Sequence, residues 1–215
     1  MLERLLPPEV RSAHTRTDPP AAVLFPAEAA QVVNAVAKRR QEFTTVRHCA
    51  RLALAELGVP PAPIPRGVRG APIWPDGIVG SMTHCAGYRA AAVGRASQVG
   101  GLGIDAELDG PLPDGVLDQI SSAGERAHLA ELTEARPGVP WERLLFSAKE
   151  SVYKVWSPRT GAWLGFEEAE VSFDMVRETF TARLLVPAPF PTLTGRYLVE
   201  DGIVLTAIVL PPAGE

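Results

Sequence analysis

The chain has 215 residues, 46% of them apolar, and a formal net charge of −4. That is enough to bury a sizeable core in one domain or two small ones, and too acidic overall for a general nucleic-acid binder. No apolar run approaches the ~20 residues of a membrane span. Met1-Leu2-Glu3-Arg4 lacks the basic and then apolar succession of an export signal, so a soluble cytoplasmic protein is expected. Two cysteines, Cys49 and Cys85, make neither a disulfide framework nor a four-cysteine zinc site, and both are expected to be reduced.

In chain order, residues 1–20 mix charge, Pro and Thr without periodicity. Phe25-Pro26-Ala27-Glu28 predicts a helix running into Ala37, with Pro at its first position and acid in its first turn. A second helix follows, its apolar stripe Phe43, Val46, Ala50, Leu54 and Leu57 closed by Gly58. Within Lys38 to Arg51 the cations Lys38, Arg39, Arg40, Arg47 and Arg51 meet a single acid, Glu42. Such a patch suits a polyanion, and a solvated helix face would look the same. Gly58 to Gly77 is dense in Pro and Gly and predicts an extended loop, which carries Arg66. Ile78 to His84 and Tyr88 to Gly94 predict two strands turned at Ala86-Gly87, with Thr83 and His84 at the end of the first. Cys85 beside His84 invites a thiolate dyad, but neighbours on a strand point to opposite faces and no third partner is evident.

Gly103-Ile104-Asp105-Ala106-Glu107 predicts a strand whose two-residue period sends Asp105 and Glu107 to one face. Two carboxylates that close are unfavourable unless a positive charge lies between them, and a hard divalent cation such as Mg²⁺ takes ligands of this kind. In the metal-free protein, removing either should then relieve repulsion. The overlapping G-x-G-x-x-A match at Gly101 to Ala106 is rejected as a dinucleotide site, because the segment continues as a strand and would set carboxylates against phosphate. Pro111 and Pro113 mark a loop, and Asp114 to Ser121 and Glu125 to Thr133 predict short helices. A longer helix opens at Pro140, with Trp141, Leu145, Ala148, Val152 and Val155 as its core stripe. Arg143, Ser147, Glu150 and Lys154 fall on the other side. Taken alone, Glu150 and Lys154 read as an exposed pair contributing about 0.3 to 0.5 kcal/mol. Val171 to Phe173, Phe180 to Leu185, and a hairpin of Tyr197 to Glu200 with Ile203 to Leu210, turned at Asp201-Gly202, predict a second sheet.

Together, Gly103-Ile104-Asp105-Ala106-Glu107 and Lys149-Glu150-Ser151-Val152-Tyr153-Lys154 resemble the paired signature of the 4′-phosphopantetheinyl transferases. That signature is a Gly-[Ile/Val]-Asp-x-Glu strand followed by a Lys-Glu-[Ser/Ala]-x-x-Lys helix. Leu24-Phe25-Pro26-Ala27-Glu28, Lys38-Arg39-Arg40-Gln41-Glu42-Phe43 with Arg47, and Ser81-Met82-Thr83-His84 are similar to its Sfp-type branch, in particular to enterobactin-synthetase-component-D-like and actinobacterial members. The resemblance covers about Leu24 to Phe173 and implies an α+β fold: a pseudo-twofold pair of similar α/β halves, residues 1–100 and 101–215, with the active site in the cleft between them. It implies Mg²⁺ held by Asp105, Glu107 and Glu150, and catalytic roles for Glu150 and Lys154. It implies coenzyme A contacts from Arg39, Arg47, Arg66, Thr83, His84 and Lys154. Trp163-Leu164-Gly165-Phe166 resembles a segment that packs against the Glu150 helix.

The activity implied is transfer of 4′-phosphopantetheine from coenzyme A to a serine of an apo acyl or peptidyl carrier protein, with adenosine 3′,5′-bisphosphate released. Such a reaction activates fatty-acid, polyketide, nonribosomal-peptide and siderophore synthases, and the enzyme is expected to be a monomer. Two other readings use the same residues. A metal-dependent hydrolase of a nucleotide pyrophosphate would need no protein acceptor. A non-catalytic coenzyme A-binding module would be expected to lack Glu150 or Lys154, and both are present.

Overall fold

The computed structural model of the chain describes residues 1–212. Its elements are β1 (Arg11–Thr15), α1 (Pro26–Ala29), α2 (Ala37–Glu56), β2 (Ile78–Cys85), β3 (Tyr88–Arg95), β4 (Gly101–Leu108), α3 (Val116–Ile120), α4 (Ala123–Ala135), α5 (Trp141–Thr160), β5 (Ala169–Asp174), β6 (Thr179–Leu184), β7 (Thr192–Glu200) and β8 (Ile203–Leu210), with short 3₁₀ turns between some of them. Two antiparallel sheets result, in the orders β1-β3-β2 and β4-β8-β7-β6-β5. One 20-residue helix lies across each, α2 on β1 and β3 and α5 on β4 and β8. This is the expected α+β architecture, with sheets of unequal size.

The periodicities explain these elements. Phe43, Val46, Ala50 and Leu54 are buried under α2, whose end is set by Gly58 at φ +72°, a conformation that glycine adopts freely. Trp141, Leu145, Ala148, Val152 and Val155 are buried beneath α5 in a core shared with Phe173, Phe180 and Tyr197 of the larger sheet. The β7–β8 hairpin turns at Asp201 and Gly202, both at positive φ (51° and 74°), the conformation that matches strand twist in a two-residue turn.

The sheets meet without a backbone ladder. Ser81 Oγ accepts from Ile104 N at 3.1 Å and Thr83 Oγ1 from Ala106 N at 3.0 Å, so hydroxyls of β2 satisfy the outward N–H groups of β4. On the other side, a Cβ added at Gly103 would collide with Ser151 O. Glycine therefore lets α5 approach β4 closely, and that approach builds the site.

Two expectations are corrected. The helix predicted from Phe25 to Ala37 is only α1 and a 3₁₀ turn at Ala30–Val32, because Gln31 is held by both backbone groups of Arg66 (Nε2 to O 3.1 Å, N to Oε1 2.7 Å). Val33 and Val36 stay 67% and 73% exposed, so no apolar face rewards continuing the helix. The segment read as patternless contains β1, an edge strand paired with β3 from Arg11↔Val93 to Thr15↔Arg89.

Candidate active site

The polar side of α5 is turned onto β4 rather than to water. Ser147 and Ser151 are fully buried and share Thr206 of β8, with Oγ to Oγ1 distances of 2.9 and 2.7 Å. Thr206 is the residue paired with Asp105 across the ladder, so these hydroxyls fix the helix directly behind the carboxylate strand. One turn on, Lys154 Nζ donates to Asp105 Oδ1 at 2.7 Å and to Ile104 O at 3.0 Å. Lys154 thus pairs across the cleft with Asp105, and no Glu150–Lys154 ion pair is formed among the described residues.

Thr83 Oγ1 also donates to Asp105 Oδ1, at 3.2 Å. Asp105 Oδ2 is buried with no hydrogen-bond partner. Burial, and then Asp105, push the Glu107 carboxyl above its ordinary range. Glu150 is raised as well, chiefly by burial, with Lys154 opposing and Asp105 adding to the shift. Arg143 Nη1 donates to Glu107 Oε2 at 3.2 Å.

An open cleft of about 330 Å³ is lined by Thr83, His84, Asp105, Glu107, Glu150 and Lys154. Glu150 also lines two adjoining cavities. One, of about 220 Å³, lies between Arg69, Met82, Tyr153 and Lys154; the other, of about 170 Å³, is walled by Tyr153, Trp163 and Phe166. Trp163 packs on Tyr153 with ring centroids 5.1 Å apart, and Phe166 on Phe146 at 5.9 Å. Arg69, Tyr153 and Phe146 were not singled out from the sequence. Tyr153 had a signal in its place beside Lys154, whereas nothing in the Pro/Gly loop marked Arg69.

The expected phosphate ligands separate into two kinds. Arg39 is exposed at the cleft edge and lies 2.6 Å from His84 Nε2 through Nη1, with Glu42 3.6 Å from His84 Nδ1. Burial, reinforced by Arg39, Lys154 and Arg89 against the opposing pull of Glu42, takes the imidazole down to about 4, so at neutral pH Nε2 is the acceptor for Arg39. Arg47 is buried instead. Its Nε donates to Ile64 O at 2.8 Å and Nη1 to Phe43 O at 3.2 Å, with Glu28 3.8 Å away and the Phe43 ring centroid 3.2 Å from its guanidinium carbon. Burial lowers Arg47 to about 9, which leaves it charged at neutral pH. Arg51 likewise binds Glu28, at 3.0 Å, so much of the basic patch is internally neutralised. Arg66 lies 4.8 Å from the Phe43 ring centroid, outside the cleft around Asp105.

Among the described residues no three His, Cys, Asp or Glu side chains are drawn together as a metal cluster. Asp105 and Glu107 each hold a cation of the protein, Lys154 and Arg143. The donors nevertheless suit a hard cation: oxygen only, two of them above their usual pKa, and the orphaned Asp105 Oδ2 among them. Cys85 is pushed up to about 12 by burial and then by Glu107 and Asp105, which leaves no thiolate for a dyad.

The chain matches two family models, "4′-phosphopantetheinyl transferase N-terminal domain" over residues 27–94 and "4′-phosphopantetheinyl transferase superfamily" over residues 101–198. It is 55% identical to 4′-phosphopantetheinyl transferase Svp of Streptomyces mobaraensis, over 100% of this chain and 91% of that protein. The chain belongs to the 4′-phosphopantetheinyl transferases. It is also 51% identical to 4′-phosphopantetheinyl transferase PptT of Mycobacterium tuberculosis, over 92% of this chain and 91% of the relative. Enterobactin synthase component D of Salmonella typhimurium is 33% identical, over 80% and 72% respectively. Phosphopantetheinyl transferases are enzymes that use coenzyme A as substrate and act on carrier-protein domains. As a member, this chain has no described helix long and apolar enough to cross a membrane.

Proposed function

We propose that this transferase moves 4′-phosphopantetheine from coenzyme A to the serine hydroxyl of an apo acyl or peptidyl carrier domain, releases adenosine 3′,5′-bisphosphate, and uses Mg²⁺ held by Asp105, Glu107 and Glu150. The observation that carries this reading is the buried, unpartnered Asp105 Oδ2 in a cleft shared with two further carboxylates, Lys154 and His84. Bound Mg²⁺ supplies charge neutralisation on the pyrophosphate. Glu150 takes the serine proton as the serine oxygen attacks the pantetheine-side phosphorus. The phosphorus–oxygen bond to the nucleotide breaks, and the Lys154 ammonium faces the developing charge. Arg39, His84 and Arg66 address the nucleotide phosphates, while Thr83, whose hydroxyl is engaged by Asp105 and Ala106, and Arg47, buried against Phe43, hold that surface from behind.

Residues 1–100 and 101–215 act as the two halves of the cleft, a division supported by each sheet being built on one side of Gly100. The net charge of −4 disfavours nucleic acid or an anionic membrane as a partner, and the same reading takes the enzyme as a cytoplasmic monomer. The metal assignment is tested with Asp105→Ala and Glu107→Ala, assayed for carrier modification across a Mg²⁺ series with coenzyme A saturating. Each is expected to lose about a hundredfold or more of the activity. Full turnover by either variant at saturating Mg²⁺ would remove the site.

A further inference from the structure

Arg143 has no part in the reaction as assigned, yet it holds one of its carboxylates. We propose that Arg143 is a positioning residue: it sets Glu107 for the metal by tying that side chain and the backbone beyond it to α5. The proposal rests on the Mg²⁺ reading above.

Three donors of the guanidinium work at once. Nη1 bonds Glu107 Oε2 at 3.2 Å, Nε bonds Gly110 O at 3.3 Å, and Nη2 bonds Pro111 O. Among the described residues, Arg143 is the one hydrogen-bonding partner of the Glu107 side chain. Glu107 needs such a partner, because it stands one residue from the end of β4, where the chain leaves the sheet and Leu108 is already 46% exposed. A glutamate there has free rotamers unless something fixes it, and a planar fork with donors in different directions fixes carboxylate and carbonyls together in a way that a point charge does not. Arg143 is itself two helical turns before Glu150 on the same side of α5, so one helix aims both Glu150 and, through Arg143, Glu107.

Charge and geometry predict opposite results, which makes the assignment testable. If Arg143 were only a competing positive charge, its removal would tighten metal binding. If it orients the ligand, its removal weakens metal binding, and partners of ligating side chains typically matter by about ten- to a hundredfold in affinity. Mg²⁺ is titrated calorimetrically into the coenzyme A-loaded wild type, Arg143→Gln and Arg143→Lys, alongside thermal midpoints and metal-free coenzyme A affinities. The expected result is Mg²⁺ affinity about ten- to a hundredfold weaker in Arg143→Gln. Arg143→Lys, which keeps the charge and loses the fork, should also be weakened, with coenzyme A affinity unchanged in both. If Arg143→Gln fails to fold, the Lys variant decides alone, since weakening at constant charge reports geometry. Wild-type or tighter Mg²⁺ affinity in a folded variant would overturn this assignment only. Absence of Mg²⁺ binding in the wild type would overturn the metal reading and this assignment with it.

Discussion

At Asp105 the structure reverses a sign that charge counting suggests. Two neighbouring carboxylates imply that removing one relieves repulsion, but Asp105 already carries Lys154 at 2.7 Å. Asp105→Ala therefore leaves an ammonium facing Ile104 O alone, and the metal-free protein should not gain stability from it. Glu150 is where relief is expected. Burial raises its pKa above the unfolded value of about 4.5, so this contribution to stability is intact below that pH and is lost as pH rises through the folded pKa. Glu150→Gln removes the loss: the thermal midpoint of the metal-free protein should rise at neutral pH and fall less steeply with pH, while transfer drops about a hundredfold or more. A midpoint that tracks wild type at every pH would contradict the burial account. The arginines divide by the same reasoning. Arg39→Ala should weaken coenzyme A binding about ten- to a hundredfold without unfolding the protein, since it loses charge-assisted bonds of about 1.5 to 3 kcal/mol. Arg47→Ala should lower the urea midpoint as well, because it leaves Glu28 buried with one cation fewer. Equal stability of the two variants would refute that division. Sequence revealed both charges but not the burial, since Glu28, the partner that draws Arg47 inward, lies in another element.

At the level of elements, the strongly periodic segments were legible. The stripes of α2 and α5, the β2–β3 hairpin and the Asp201-Gly202 turn each declare their geometry locally. β1 did not, because Arg11, Ser12 and His14 carry no apolar alternation and the strand exists through pairing with Ala90 to Val93. Nor did Lys149, which a helical wheel leaves beside Glu150 without a task. Its Nζ is buried and donates to Ile120 O at 2.6 Å, Phe166 O at 2.8 Å and Glu125 at 3.0 Å, fastening α3, α4 and the Trp163–Phe166 segment to α5. Lys149→Met should cost about 3 to 5 kcal/mol in urea unfolding, as it abandons a buried carboxylate. Adding Glu125→Gln should recover part of that loss, and only part, because Glu125 also accepts from Ser122 N and Val171 N. Strict additivity of the two substitutions would show that the pair is not coupled.

Over the whole molecule, the α+β class and the cleft were legible through the two motifs. How the sheets join was not, because it depends on the hydroxyls of Ser81 and Thr83 replacing a ladder. Ser81→Ala with Thr83→Val strands two buried N–H groups, each worth about 1 to 3 kcal/mol. The double variant should unfold at clearly lower urea and lose transfer, since the carboxylate strand is no longer held against the first sheet. Wild-type stability would mean that the junction lies elsewhere. The central claim, that the cleft transfers phosphopantetheine to a carrier serine, is tested most directly by the intact mass of apo carrier proteins incubated with this protein, coenzyme A and Mg²⁺. The account predicts that a carrier gains one phosphopantetheine group on its serine, and that Asp105→Asn fails to add it. Carriers of unchanged mass across the panel, with coenzyme A cleaved in their absence, would contradict it.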